Sequence, residues 1–513
     1  MRRSIALVAT ALLVAALVAC SDDENSPQPA ASLAPSASAT ATGQTQTQAP
    51  AQTRVVDAAG DVLQLSVGPL VRSGGAVVLT VQTRLDKSGS GSASVLSRHF
   101  STLLTNSFDA GRLVDELGRR VFLVSEGLDG SRCVCTGAVR FEVGETRPLQ
   151  AVFGGVPAGV ERLSVMLPYA GVFTDVPVVD GEVPLPPSDG VTAGGVQDPL
   201  DPATAAPAFV GSLDSYTERL DVALRTRRTA DQVDISLATD VLFRLDSAEL
   251  TPGAGKSIAA AVADLRAAGP GPLTVTGHTD STGSTSHNQA LSQRRAQAVA
   301  GALRKSLPDG EWPKTVAAEG ESKPAVPNDS AAHRALNRRV AVTYRARAQA
   351  AATPAPAEVV LPKTTGKQGR APDGVEVAMP LNRGTIRFVS GPATVRGPFL
   401  LVSLTARNVG DTKATILDFL GQGVFTVRDE FDPYARYGTA GVRLLQGDTA
   451  AYGLDYESSP GAHRCLCDRI LSKAIPPGSE QVLSLWFPAP PPGTATVSLD
   501  VPDRLRITDI PIS

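Results

Sequence analysis

Four of the five cysteines stand in two close pairs, Cys133-Val134-Cys135 and Cys465-Leu466-Cys467. Thiols at this spacing can bridge to each other or offer thiolates to a metal. In an extended strand residues i and i+2 lie about 6.6 Å apart, the upper limit for a disulfide, so a bridge within a pair requires a local turn or bulge. Bridges between the pairs, free thiols and a four-cysteine metal site are the alternatives. Other reactive constellations fail on spacing. Gly253 to Ser257 (GAGKS) invites a phosphate loop, but the motif needs a glycine where Leu250 stands. His278 and His287 are nine residues apart and outside any His-Glu-x-x-His arrangement, so no metal site is expected there. No nucleophile elbow and no Ser-x-x-Lys with its partner motifs is present. The chain is therefore expected to be no enzyme, and to use no metal and no cofactor.

The elements that would carry these residues begin with an address. Arg2 and Arg3 precede an uncharged apolar run, Ile5 to Ala19, too short to span a bilayer as a mature helix, which reads as a signal peptide over 1–20. Its end, Leu17-Val18-Ala19-Cys20, resembles the lipobox of bacterial lipoproteins. That resemblance implies lipidation of Cys20 and an extracytoplasmic protein held by two acyl chains, either on the outer face of the cytoplasmic membrane or in an outer membrane. Outside the cytoplasm the remaining four thiols are expected to oxidise. A net charge of −3 gives no basic field, so nucleic acid is excluded as a partner.

At 513 residues several domains are expected. Residues 21–53 are Ser, Thr, Ala, Pro and Gln without apolar periodicity, a disordered tether whose mean reach is roughly 30 Å. Linkers rich in Ala, Pro and Gly at 186–208 and 349–373 leave three domains, 54–185, 209–348 and 374–513. The outer two look like copies. Gly144 to Phe153 (GETRPLQAVF) aligns with Gly478 to Phe487 (GSEQVLSLWF), Phe173 to Val178 with Ile507 to Ile512, and each copy has a Cys-x-Cys pair. Period-2 runs such as Val77 to Gln82 and Leu400 to Ala406 predict short strands in both, and an antiparallel, immunoglobulin-like sandwich is expected for each.

The middle segment changes period. Residues 231–252 read as strand and turn, with Thr251-Pro252 expected as N-cap and first helical position. Ile258, Val262 and Leu265 make one helix face, and Leu291, Val299 and Leu303 another. Strands are expected at 273–276, 316–318 and 339–344, an α/β domain of βαβαβ type with a final strand.

Eight separated blocks here carry a resemblance: Thr239 to Phe243, Leu250 to Pro252, Gly277-His278-Thr279-Asp280, Asn288, Leu291-Ser292, Arg295-Ala296, Gly320-Glu321 and Asn337 to Val340. In that order and spacing the segment resembles the OmpA-like peptidoglycan-binding domain shared with peptidoglycan-associated lipoproteins. The resemblance implies non-covalent binding of peptidoglycan stem peptides, chiefly through diaminopimelate. It implies that Asp280 takes the ammonium of the zwitterionic head and Arg295 its carboxylate, with Thr279, Asn288, Asn337 and Arg338 near the pocket. The chemistry is coherent, since such a head needs an acceptor and a donor fork held rigidly apart. The bland alternative is that Asp280 caps its loop and bridges to Arg295 at the surface. The turn Phe243 to Ser247 departs from the family's acidic pattern at Arg244 and Leu245. The resulting expectation is a lipid-anchored protein that tethers membrane to wall. A wall-bound scaffold whose β domains recruit a protein or glycan is the alternative, and a wall-remodelling enzyme a remoter one. The sequence does not identify what the β domains bind.

Overall fold

The computed structural model describes residues 50–183, 200–345 and 361–513, apart from 59, 90, 96–98, 102–106, 131–132, 208, 429, 431, 460–461 and 469–473. The expected signal peptide, Cys20 and nearly all of the 21–53 tether lie outside the described residues.

Alternation of apolar and polar residues builds the first β region. Along Asp61–Val67 the even-numbered positions face out, while Leu63, Leu65 and Val67 are fully covered. This strand pairs antiparallel with Gln52–Ala58 and Ala76–Lys87, and Ala76–Lys87 pairs in turn with Thr146–Phe153. A second layer joins Gly171–Asp180, Arg162–Leu167, Arg112–Asp115 and Arg120–Leu123. Between the layers Leu65 and Leu79 pack with Phe122, Leu163 and Phe173. Each such side chain contributes roughly 1.5 to 3 kcal/mol by leaving water.

The second β region repeats this order of pairings. Val375–Ala378, Thr385–Ser390, Phe399–Asn408 and Glu480–Pro488 form one layer. Leu505–Pro511, Thr496–Val501, Arg443–Gln446 and Thr449–Tyr452 form the other. Gly144 and Gly478, Tyr169 and Asp503, and Asp175 and Asp509 all have positive φ, and one offset of 334 residues relates the members of each pair. In the first region the third strand in chain order, Leu70–Ser73, pairs antiparallel with Ala76–Lys87 and parallel with Gly171–Asp180, so it joins the two layers.

In the middle domain Leu224–Arg228, Gln232–Ala238, Arg339–Arg345, Leu273–His278 and Lys314–Gly320 form a sheet in that order, only the last pair parallel. The helices Ala254–Ala268 and Thr285–Arg304 cover Ile235, Val275 and Val342 with Val262, Leu265, Val299 and Leu303. The strand Leu224–Arg228 and the helix Ala331–Asn337 are additional to the expected order. Thr251 is not the cap: the first long helix starts at Ala254, and the Thr251 hydroxyl donates instead to the Val241 carbonyl at 2.9 Å.

One strand is shared among the three regions. The strand Val210–Arg219 pairs through Val210–Ser212 with Phe122–Arg120 of the first region. Leu213–Asp214 then meet Tyr456–Asp455, Ser215–Glu218 meet Arg228–Arg225, and Thr217–Arg219 meet Ala451–Thr449. Leu213, fully buried, sits among Val114, Val121 and Met166 from one side and Phe399, Tyr456 and Trp486 from the other. Parts of both expected linkers are also structured. Asp201 caps a short turn at Pro202–Thr204, and the Ala206 N–H donates to the Glu126 carbonyl at 2.8 Å. Lys367–Arg370 forms a strand parallel to Leu505–Thr508.

Asp214 and Asp455 face each other across this junction, both buried. Arg227 lies 2.6 Å from Asp214, and Arg428 2.5 Å from Asp455. Burial outweighs Arg227 and pushes Asp214 up to about 6. Disulfides join Cys133 to Cys135 and Cys465 to Cys467, with Cα separations of 5.3 and 5.2 Å, shorter than an extended strand allows.

Candidate functional site

The site is built where a strand ends and a helix comes unusually close. A Cβ on Gly277 would lie 2.0 Å from the Ser292 carbonyl oxygen, so only glycine lets the helix Thr285–Arg304 rest its backbone on the strand Leu273–His278. That contact sets Arg295 beside the loop that follows the strand.

Asp280, on that loop, is buried and held by two donors from two directions. Its Oδ1 accepts the Thr282 N–H at 2.9 Å, and its Oδ2 accepts Arg338 Nη1 at 2.7 Å. Arg338 is also engaged by Asp240, from Nε to Oδ1 at 2.8 Å and from Nη2 to Oδ2 at 2.5 Å. Burial pushes Asp280 up, but the Arg338 and Thr282 hydrogen bonds outweigh it and hold the carboxylate below its usual range. Asp280 is therefore an anion at neutral pH, with its orientation fixed.

Arg295 is held differently. Its Nε donates to the Ser247 carbonyl at 2.9 Å, and its guanidinium lies 5.4 Å from the Phe243 ring centroid. The two terminal nitrogens have no partner among the described residues. Burial lowers its pKa, opposed by the fields of Asp240, Asp246 and Asp280. The bland alternative of an Asp280–Arg295 bridge is not formed, because the partner of Asp280 is Arg338.

The other expected residues divide. The Thr279 N–H donates to the Gly320 carbonyl at 2.8 Å, while its buried hydroxyl has no partner. Asn288 is a brace: its amide donates to the carbonyls of Asp280 and Thr282 at 3.3 and 3.1 Å and to Glu321 at 2.5 Å. Asn337 is fully buried, and both ends of its amide are used on the chain between Ala325 and Asn328. It cannot turn to a ligand without leaving buried backbone groups unpaired, which corrects the expectation that it lies at the pocket. Arg338 orients Asp280. Asp240, Phe243, Ser247 and Glu321 complete the site. Asp240 and Phe243 stand in a block already singled out, but nothing local reveals that Asp240 holds an arginine 98 residues away.

His278 gives the site a pH signature. Its Nδ1 is buried without a partner, and burial followed by Arg339 pushes the imidazole down to about 4 from 6.5. Between those values the unfolded chain binds the proton and the folded chain does not, so this group makes stability rise with pH from about 4 to 6.5. One such group contributes at most about 1.4 kcal/mol per pH unit. His278→Asn is expected to flatten the stability–pH slope relative to wild type in denaturant titrations at pH 4.5, 5.5 and 6.5. Equal slopes would show that His278 is not the group.

Residues 242–338 match the OmpA family. Outer membrane porin F of Pseudomonas fluorescens is 39% identical over 120 residues, covering 22% of this chain and 35% of the porin. The putative lipoprotein YfiB of Escherichia coli is 33% identical over 117 residues, covering 22% of this chain and 71% of that protein. The chain thus spans about a third of the length of the porin and about seven tenths of that of the lipoprotein. Among solved structures, the cell wall anchor of the T6SS from Pseudomonas aeruginosa is 30% identical, with a TM-score of 0.22, over 24% of this chain and 89% of that one. With its glycine-seated helix, fixed carboxylate and half-free arginine set in the matching segment, the chain belongs to the OmpA family.

Proposed function

We propose that this is a lipid-anchored protein of the bacterial cell envelope that grips peptidoglycan non-covalently and so ties membrane to wall, without catalysing a reaction. One observation carries the reading. Arg295 is fixed through Nε yet has both terminal nitrogens unpaired, beside a carboxylate that is oriented and ionised. That is a donor fork and an acceptor waiting for a zwitterion, as the diaminopimelate head of a stem peptide supplies. The porin and lipoprotein relatives support an envelope location. The two β regions are read as copies of one unit, which rests on their shared order of pairings and on the common 334-residue offset. Domain limits at 54–185, 209–348 and 374–513 remain part of this reading, with Val210–Arg219 shared among all three.

The test uses the full chain, because that shared strand leaves the 209–348 segment without its partners. Wild type is expected to pellet with purified sacculi and to partition into the detergent phase. Cys20→Ala is expected to keep the first property and lose the second, since no helix among the described residues is long and apolar enough to cross a membrane. Unchanged detergent partitioning of the variant would remove the lipid anchor from the reading, and wild type that stays in the supernatant would remove the wall.

A further inference from the structure

The second β region contains an open groove of about 520 Å³, within the size range of small-molecule sites. Its apolar surface comes from Val377, Leu381 and Phe419, and its rim carries Lys367, Arg383 and Arg504. The first β region is built differently at the aligned place. There Tyr169 and Ala170 stand where the 334-residue offset puts Asp503 and Arg504, and both are buried, with Tyr169 edge-on to His99 at 5.7 Å. Two regions with the same pairings therefore differ at this corner, where the aligned residues are buried in one and exposed in the other.

The groove's charge is not balanced from within. The Asp418 carboxylate accepts Arg436 Nε at 3.1 Å, and Asp503 accepts the Thr365 hydroxyl at 3.0 Å. Arg504 is fixed in place. Its Nη1 donates to the Asp418 carbonyl at 2.8 Å and to the Phe419 carbonyl, and its guanidinium lies 5.6 Å from the Phe419 ring centroid. Lys367 and Arg383 make no ion pair among the described residues. Three cations thus surround an apolar floor, facing one carboxylate, Asp503, whose partner is a neutral hydroxyl, and another, Asp418, that Arg436 neutralises.

Backbone conformation singles out the same place. Leu381, Asp418 and Asp503 have φ of 60°, 60° and 57°, and all three line the groove. Asp tolerates the left-handed region, but a leucine there is uncommon, because its Cβ crowds the backbone. Leu381 is also 81% exposed, so no core packing rewards its position. Strain of this kind persists where surrounding structure enforces it, and it gathers at ligand clamps.

We infer that this groove binds an anionic amphiphile, a carboxylate or phosphate head on an apolar chain, with the head between Lys367, Arg383 and Arg504 and the chain along Leu381, Val377 and Phe419. Charge complementarity and the apolar floor together select that chemistry, since an inorganic anion would leave the floor wet and a neutral chain would leave the cations unmatched. The test is calorimetric titration of the full-length Cys20→Ala chain in detergent-free buffer, with decyl phosphate, decanoate, decanol and inorganic phosphate, each below micelle formation. Decyl phosphate or decanoate is expected to bind saturably, and the preferred head distinguishes a phosphate source from a carboxylate one. Lys367→Gln combined with Arg383→Gln, both on the surface and clear of the core, should weaken that binding at least tenfold with an unchanged circular dichroism spectrum. The inference falls if neither anionic amphiphile saturates, if the double variant binds like wild type, or if decanol or inorganic phosphate binds as tightly as the amphiphiles.

Discussion

Arg295→Ala is expected to lower affinity for purified sacculi by roughly 30-fold or more while the chain stays folded. The arginine gives the fold one hydrogen bond, to the Ser247 carbonyl, and a contact with the Phe243 ring. Its two terminal nitrogens make no hydrogen bond among the described residues, so in the proposed complex it supplies the fork that a carboxylate needs. Truncating one partner of a desolvated charge pair costs about 2 to 5 kcal/mol, much of it from leaving the other charge unmatched. Arg295→Lys separates charge from geometry, because an ammonium keeps the attraction without the planar fork and should fall between wild type and alanine. Pelleting isotherms for the three proteins decide it. Alanine and wild-type chains with the same isotherm would take Arg295 out of the site, and lysine matching wild type would take away the fork.

Leu213→Ala should destabilise the whole chain by about 2 to 5 kcal/mol, the range for truncating a fully buried leucine. The site lies on the shared strand among side chains from both β regions, so the cavity opens between domains and not within one core. Loss of a single cooperative transition is the sharper consequence. Thermal melts followed by tyrosine and tryptophan fluorescence should show wild type unfolding in one transition, and Leu213→Ala splitting into transitions for separate domains. A variant that melts within a degree of wild type would mean that the strand does not couple them.

Legibility from sequence followed the distance over which each feature is specified. Helix faces such as Ile258, Val262 and Leu265 repeat at 3.6 residues, and all three are buried as that period requires. Strands in the β regions were legible through alternation for the same local reason. Their order was not, because it depends on pairings such as Val77 with Phe153, 76 residues away. The shared strand was invisible as such. Val210 to Arg219 alternates weakly after a Pro- and Ala-rich segment, and Leu213 meets Tyr456 at a separation that no window spans. At the site, the eight blocks located Asp280 and Arg295. What they withheld was who holds whom: Arg338 and Asn337 look alike as a polar pair, yet one orients a carboxylate and the other is consumed by the Ala325–Asn328 turn.

The shared strand also decides how the molecule carries a load. Thr217 and Glu218 are hydrogen-bonded on both edges, to Thr226 and Arg225 on one side and to Ala451 and Ala450 on the other. A pull along the strand therefore loads several bonds at once in shear, where a pull across a hinge would open contacts one by one.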